Sequence, residues 1–332
     1  MKGSFRALVA EKQGEDFSVQ MKDLTVDQLP AGEVLIKVHY SGVNYKDSLA
    51  TIPNGNVVKS YPIVPGIDLA GEVVSSEDER FKQGDHVIAT SYEIGVSRHG
   101  GYSEYAKVPA DFIVPLPAGM TTREAMIMGT AGFTAALSVQ RLLENGLDKE
   151  NGPVLVTGAT GGVGSFAVAI LSKLGFEVEA STGKQEEEDY LKELGADRII
   201  SRDEVYDGNL KQLASQRWAA AVDPVGGEPL ASVLSQLKYN GSAAVSGLTA
   251  GGNVPTTVYP FILRGINLLG IDSVYCPKPT REKIWMQLAT AFKPGDLERF
   301  VIEELTLDQL PEALPKLLEG NARGRYLVKI SG

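Results

Sequence analysis

The sequence predicts an α/β protein in which a β-rich domain is interrupted by a doubly wound, parallel-sheet domain. Three observations predict it. The first third of the chain carries short alternating or apolar runs closed by Gly, Pro and Asp. From Pro153 onward, strand and helix patterns alternate. The tail, residues 300–330, returns to strand, short helix and strand. Strands alternating with helices imply parallel pairing, because each crossover helix must cover the sheet between the strands it joins.

The elements follow in order. Residues 33–40, 69–74, 86–90 and 102–108 read as strands of the first domain, with turns at Pro65-Gly66 and Gly84-Asp85. Residues 124–143 contain no Pro, carry Ala, Met and Leu at helical spacing, and stop at Asn145-Gly146, so they predict a helix. Beyond it, residues 154–157, 176–180, 198–201, 219–222, 242–246 and 267–271 read as six strands. Residues 163–174 and 186–194 read as helices that end at Gly175 and Gly195. The expected division is 1–125 for the first part of the β-rich domain, 126–273 for the parallel-sheet domain, and 274–332 for the return.

Length and composition agree. The 332 residues are 43% hydrophobic and 22% charged, with 36 Gly and 17 Pro, the profile of a globular chain of about two domains. The single cysteine, Cys276, excludes an intrachain disulfide and a thiolate-rich zinc site. No apolar run reaches the roughly 18 residues of a membrane span, and residues 1–16 lack the apolar core of a signal peptide. The expected location is the cytoplasm. A net charge of −10 argues against nucleic acid, whose phosphates are held by a basic face. The acidic run at residues 186–189 reads as a solvated helix face.

The strongest local signal is Thr157-Gly158-Ala159-Thr160-Gly161-Gly162-Val163-Gly164. It follows an apolar strand and opens a helix, with Gly158, Gly161 and Gly164 at G-x-x-G-x-x-G spacing. Such glycines allow a tight turn, a close backbone approach to pyrophosphate, and close helix–strand packing, while helix amides face the phosphates. The alternative is a structural turn. Strand before and helix after favour dinucleotide binding.

The second strand is followed by Ser181-Thr182-Gly183-Lys184, which suits a 2′-phosphate and favours NADP over NAD. Glu177 and Glu179 compete for the ribose, standing about 20 residues past the first glycine. Both are expected inside the strand, before its carboxyl edge. Arg202, after the third strand, is a second candidate for the phosphate. Ser246, Gly247 and Leu248 after the fifth strand, and Ser273 after the sixth, fall at strand carboxyl ends, where doubly wound sheets bind ligands.

Two neighbouring chemistries are excluded. None of the 12 tyrosines has a lysine four residues later, so a short-chain Tyr-x-x-x-Lys pair is missing. The three histidines, His39, His86 and His99, and the distant Cys276 offer no zinc ligand set. Without a Lewis acid, conjugate reduction is easier than direct carbonyl reduction, since an enolate can be stabilised by ordinary hydrogen-bond donors.

The segment Pro62-Ile63-Val64-Pro65-Gly66-Ile67-Asp68-Leu69-Ala70-Gly71 resembles the P-x-x-P-G-H-E-x-x-G of the medium-chain dehydrogenase/reductase superfamily, with Ile67-Asp68 in place of His-Glu. The likeness extends through Ser41-Gly42-Val43-Asn44-Tyr45-Lys46-Asp47, Gly129-Thr130-Ala131-Gly132-Phe133-Thr134-Ala135, Pro255-Thr256-Thr257-Val258, Pro260-Phe261-Ile262-Leu263-Arg264 and Gly324-Arg325. It covers nearly the whole chain and resembles most the zinc-free quinone oxidoreductase branch of the YhdH/YhfP type, a group that includes acrylyl-CoA reductases.

The resemblance implies a GroES-like catalytic domain, a Rossmann domain and a cleft between them. It also implies NADPH as cofactor, a small-molecule enoyl thioester as substrate, and a homodimer pairing residues 267–271. Tyr45 would lie beside the nicotinamide with Asn44 as its neighbour. The Tyr45 phenol would orient the cofactor, donate to an enolate oxygen or relay a proton, or else merely wall the pocket. Thr130 would contact the nicotinamide ribose or amide, or serve as a packing hydroxyl. Asn321 and Arg325 would close over the cofactor from the tail. Arg98, Lys278 and Arg281 are the candidate cations for a thioester's phosphates. Quinone or enone reduction, and dinucleotide binding without turnover, remain the alternatives.

Overall fold

The computed structural model describes residues 3–319 and 323–331, so Asn321 lies outside the described residues. The chain forms two compact units. One comprises residues 1–130, 274–289 and 296–332, and the other residues 131–273 and 290–295.

The first unit opens on an antiparallel hairpin, β1 (Ser4–Gln13) and β2 (Asp16–Thr25). The strands read from the sequence do not include it, although Phe17, Val19 and Met21 alternate with polar residues along β2, whose inner face is only half-buried. Next come β3 (Val34–Gly42), the short helix α1 (Tyr45–Ala50), β4 (Asp68–Ser76), β5 (His86–Thr90), β6 (Tyr105–Val108) and β7 (Ile113–Pro115). β3 pairs antiparallel with β4 and β6, β4 with β5, and β5 with β7. Val34, Ile36, Val38, Leu69, Val73 and Val87 form one buried cluster from these strands. Each such side chain contributes about 1.5–3 kcal/mol on burial.

The helix expected over 124–143 is α2 (Thr122–Glu144), but it is broken at Gly129, whose φ of 50° and ψ of −153° are not helical. Propensity does not reveal this break, because one glycine in an Ala/Met/Leu-rich window is ordinarily tolerated. Its cause is tertiary and belongs to the candidate site.

The second unit runs through β8 (Val154–Val156), α3 (Gly162–Lys173), β9 (Val178–Thr182), α4 (Glu188–Glu193), β10 (Arg198–Ser201), α5 (Arg202–Val205), β11 (Trp218–Asp223), α6 (Gly227–Gln236), β12 (Leu237–Val245), α7 (Tyr259–Arg264) and β13 (Asn267–Gly270). The six strands are parallel in the order β10-β9-β8-β11-β12-β13. β8 and β11 are wholly buried, as expected for parallel strands covered on both faces. Leu155, Trp218, Ala221, Leu230, Val233 and Leu237 fill one layer of this core. From β8 the chain winds outward to β9 and β10, then returns to β11 on the other side. The carboxyl ends of β8 and β11 therefore form the topological switch point.

The chain re-enters the first unit with α8 (Lys278–Ala289), β14 (Val301–Thr306), α9 (Leu310–Leu318) and β15 (Arg325–Lys329). β15 pairs antiparallel with β3 and parallel with β14, completing a seven-stranded sheet. Leu310 and Leu314 of α9 join Val328, Leu8 and Val64 in a second buried cluster. No helix among the described residues is long and apolar enough to cross a membrane.

Candidate active site

In the second unit the glycine turn joins β8 to α3. Gly158 has a φ of +53°, a left-handed conformation that favours glycine. A Cβ on Gly164 would lie 2.3 Å from the Gly158 carbonyl oxygen, so only glycine lets α3 pack this close. Gly161 caps α3 in extended conformation, and Gly162 begins the helix. Thr160 is buried, while Gly158, Gly161, Gly162 and Val163 keep partial exposure.

Behind the turn, Asp223 at the end of β11 is fully buried. It accepts hydrogen bonds from the Thr157 hydroxyl (2.7 Å) and the backbone N–H groups of Gly226 (2.6 Å) and Val225 (3.1 Å). Burial raises its pKa, and those donors counter the rise. One carboxylate thus ties the carboxyl ends of β8 and β11 to each other. Ser246 follows β12, and its hydroxyl is buried without a hydrogen-bond partner. Gly247 packs so tightly that a Cβ would meet the Pro224 carbonyl oxygen at 2.1 Å. Leu248 is exposed, and Ser273, beyond β13, is half-buried.

The second strand reaches Thr182, two residues further than the sequence reading. Ser181 and Thr182 are consequently buried strand residues. Thr182 Oγ1 accepts from the Lys184 backbone N–H at 3.0 Å and so shapes the turn. Gly183 is exposed beneath Arg202, and a Cβ there would fall 2.6 Å from the Arg202 Nε. Lys184 stands on the same turn. Burial lowers the pKa of its ammonium, Arg202 adds to the fall, and Glu187 and Glu186 oppose it. Two cations from successive strand ends therefore flank Gly183.

Glu179 lies inside β9, as read from the sequence, and Glu177 precedes the strand. Glu179 accepts from the Trp218 indole N–H at 2.8 Å and pairs with Arg198 (3.4 Å) and Arg217 (3.6 Å). It is committed to the interior.

In the first unit, Asp47, Asp68 and Arg325 are buried together. Asp68 Oδ2 accepts from the Thr130 backbone N–H (2.9 Å) and from Asn44 Nδ2 (2.7 Å), and Oδ1 accepts from the Thr130 hydroxyl. Arg325 donates through Nη1 to the Val43 carbonyl (2.8 Å) and Asn44 Oδ1 (2.9 Å), and through Nε to the Ile127 carbonyl (3.2 Å). Its Nη2 stands 3.6 Å from Asp68. Asp47 Oδ2 accepts from the Asn44 backbone N–H and Oδ1 from the Ile67 backbone N–H, both at 2.8 Å.

A Cβ on Gly129 would sit 2.5 Å from Asp68 Oδ2 and 2.7 Å from Arg325 Nη2. The break in α2 is the space this cluster needs, and it turns the Thr130 N–H onto the carboxylate.

Two expectations need correction. Asn44 spends its amide inward, donating to Asp68 and Asp47 and accepting from Arg325, so it braces the site from behind. Arg325, expected to close over the cofactor from the tail, is 4% exposed and stands in the interior as a counter-charge to Asp68. Tyr45, the first residue of α1, is 53% exposed and is the member of this constellation turned outward. Of the proposed substrate cations, Arg281 is buried on Thr90, Val274 and Tyr92. Arg98 pairs with Glu93, and Lys278 donates to the Ala110 carbonyl.

Known proteins resemble this chain over most of its length. Residues 30–118 match the family described as alcohol dehydrogenase GroES-like domain, and residues 162–290 match that described as zinc-binding dehydrogenase. YhfP of Bacillus subtilis is 59% identical over 98% of this chain and 99% of its own. Its crystal structure with NAD bound has a TM-score of 0.97, covering 99% of this chain and all of that one. The acrylyl-CoA reductase AcuI of Ruegeria pomeroyi is 50% identical over 98% of this chain and 99% of its own. The YhdH oxidoreductase of Salmonella enterica, in complex with NADP, has a TM-score of 0.95 at 44% identity, covering 98% and 100% of the two chains.

Fold and site together define an oxidoreductase with a GroES-like and a Rossmann-type domain. The chain belongs to the medium-chain dehydrogenase/reductase family, in the quinone oxidoreductase and acrylyl-CoA reductase group that holds YhfP and AcuI.

The zinc of the wider family does not fit the residues present. Where the superfamily pattern has His-Glu, this chain has the buried, apolar Ile67 and an Asp68 already saturated by donors. Among the described residues, no three His, Cys, Asp or Glu side chains gather closely enough to hold a metal ion.

Burial, and then the adjacent Asp68, push the Asp47 pKa from 3.8 up to about 6. Between those values the native state holds a proton that the unfolded chain has lost. Stability from this group is complete below the window and is lost as pH rises through it. The melting-temperature advantage of the wild type over Asp47→Asn should accordingly shrink as pH rises from about 4 to 7. A difference independent of pH would contradict the assignment.

Proposed function

We propose that the protein is an NADPH-dependent reductase of a carbon–carbon double bond conjugated to a thioester carbonyl, with acrylyl-CoA as the type substrate. The substrate class is carried by the 50% identity with an acrylyl-CoA reductase over 98% of the chain. The choice of cofactor is supported by the Lys184 and Arg202 pair around Gly183.

The second unit's residues fit the dinucleotide. The Gly158–Gly164 turn and the α3 amides suit a pyrophosphate, Lys184 and Arg202 suit a 2′-phosphate, and the orphaned Ser246 hydroxyl suits a polar group of the ligand. When bound, NADPH supplies a hydride for the β-carbon of the alkene. The enolate so formed needs a hydrogen-bond donor at its oxygen and a proton at its α-carbon. Tyr45 is the side chain we assign to the oxygen, because its exposure leaves the phenol open to a ligand while Asn44 fixes its backbone. Thr130 contributes to cofactor positioning.

We also propose a homodimer formed through β13. It is an edge strand, and Val258, Ile262, Leu263 and Leu268 beside it are all exposed apolar residues. A second reading, reduction of quinones or simple enones, uses the same hydride chemistry.

Steady-state assays with NADPH against acrylyl-CoA, other enoyl thioesters, quinones and enones decide between them. The proposal expects the highest kcat/KM for a short enoyl thioester, and a preference for quinones would replace it. Lys184→Ala should weaken NADPH binding roughly 10- to 100-fold, the range of a charged hydrogen bond, and leave NADH nearly unchanged. Equal loss for both would reject the 2′-phosphate assignment. Tyr45→Phe should lower kcat by about 10²-fold with little change in NADPH affinity; unaltered turnover would reduce Tyr45 to a wall of the pocket.

A further inference from the structure

Glycine at position 183 is not demanded by its own backbone. Its φ lies outside the left-handed region, so alanine could adopt the same conformation. What excludes a side chain is Arg202: a Cβ at position 183 would fall 2.6 Å from its Nε and 2.7 Å from its Cζ. The guanidinium lies against the bare turn that follows β9. Among the described residues it makes no hydrogen bond or ion pair.

The backbone that carries Arg202 is held just as closely. Arg202 opens α5, a single turn too short to be stable by itself. A reciprocal cap closes that turn: the Glu204 backbone N–H donates to Ser201 Oγ (3.2 Å), and the Ser201 backbone N–H donates to Glu204 Oε1 (3.1 Å). Glu204 Oε2 accepts from Arg198 Nη2 at 3.0 Å, and the Glu204 carbonyl accepts from Arg217 Nη1 at 2.7 Å. Both arginines also pair with the buried Glu179 inside β9. At the far end, the Val205 carbonyl accepts from the Ser232 hydroxyl (2.7 Å) and from Gln236 Nε2 (2.9 Å) of α6. An exposed turn is thereby tied to β9, β10 and α6.

Resting on the 2′-phosphate reading above, we propose that Gly183 and Glu204 are positioning residues that hold Arg202 in place for a 2′-phosphate and so set the preference for NADPH over NADH. Glu204 fixes the backbone from which the arginine starts, and Gly183 leaves the space in which its guanidinium ends. Neither role requires contact with the phosphate. Ordering a long side chain on binding costs affinity, and an arginine held in place beforehand avoids that cost. Glu179, which sequence spacing makes a rival for the ribose, supports the opposite selectivity through Arg198 and Arg217.

The test titrates the full chain with adenosine 2′,5′-bisphosphate and with adenosine 5′-monophosphate, which differ only in the 2′-phosphate, by isothermal calorimetry. The ratio of the two dissociation constants reads recognition of that phosphate. Arg202→Ala should cut the wild-type ratio roughly 10- to 100-fold, the range of a charged hydrogen bond. Gly183→Ala should cut it about tenfold without lowering the melting temperature, since alanine suits the backbone and only the guanidinium must move. Glu204→Ala should cut it several-fold. Glu204→Gln keeps the cap, loses only an exposed ion pair, and should retain the ratio.

Added to Arg202→Ala, neither Gly183→Ala nor Glu204→Ala should lower the ratio further, because both act through the arginine. A further fall in either double variant would overturn the proposal. So would a wild-type ratio in Gly183→Ala or in Glu204→Ala, with the 2′-phosphate reading left standing. A wild-type ratio in Arg202→Ala would remove Arg202 from that reading itself, and the proposal would fall with it.

Discussion

Much of the first unit's geometry follows from placing two carboxylates beside one guanidinium in a dry interior. A buried charge without partners is costly, and losing one partner of such a cluster typically costs about 3–5 kcal/mol. Asp68 therefore gathers hydrogen-bond donors from Asn44 and Thr130 and a counter-charge from Arg325, three separate parts of the chain. Those demands reach the backbone. Gly129 leaves the helical region because a side chain would occupy the carboxylate's space, and Gly42 is confined by the Arg325 Nη2 in the same way. The α1 entrance is pinned because Asn44 is held through both its backbone and its amide. Tyr45, one residue later, is consequently presented outward from a fixed frame.

The second unit solves a different problem, the approach of backbone to an anionic ligand. Its switch point is closed from behind by Asp223, which clamps Thr157 and the Gly226 amide, while the glycine turn is held by its own backbone hydrogen bonds and close packing. Lys184 and Arg202 come from the ends of β9 and β10, adjacent in the sheet although nearly twenty residues apart in the chain. Adjacency of that kind is a property of parallel winding: each strand end delivers its following residues to the same edge.

The contrast explains what could be read beforehand. The glycine turn was legible because its constraints are local: strand, tight turn and helix occupy one short stretch. The placement of Lys184 and Arg202 at neighbouring strand ends was legible because it needs only the positions of β9 and β10. The alternation of β8 to β13 carried the fold class, and Ile67-Asp68 carried the departure from a zinc ligand set. The buried cluster was not legible. Asp47, Asp68 and Arg325 are separated by up to hundreds of residues, and nothing in periodicity says that a charged residue on a strand faces inward. Asn44 accordingly reads as a participant in chemistry when its amide is wholly spent on support, and Arg325 reads as a closing residue when it is a buried counter-charge. The β1–β2 hairpin was not read although Phe17, Val19 and Met21 alternate with polar residues in its second strand.

The central claim is that hydrogen-bond donors around this site, and no metal ion, stabilise the charge that hydride addition creates. The most direct measurement is turnover of an enoyl thioester with NADPH after exhaustive chelation, alongside elemental analysis of the purified protein. The account predicts undiminished kcat and no stoichiometric zinc. Activity that vanishes with chelator and returns with added zinc would contradict it.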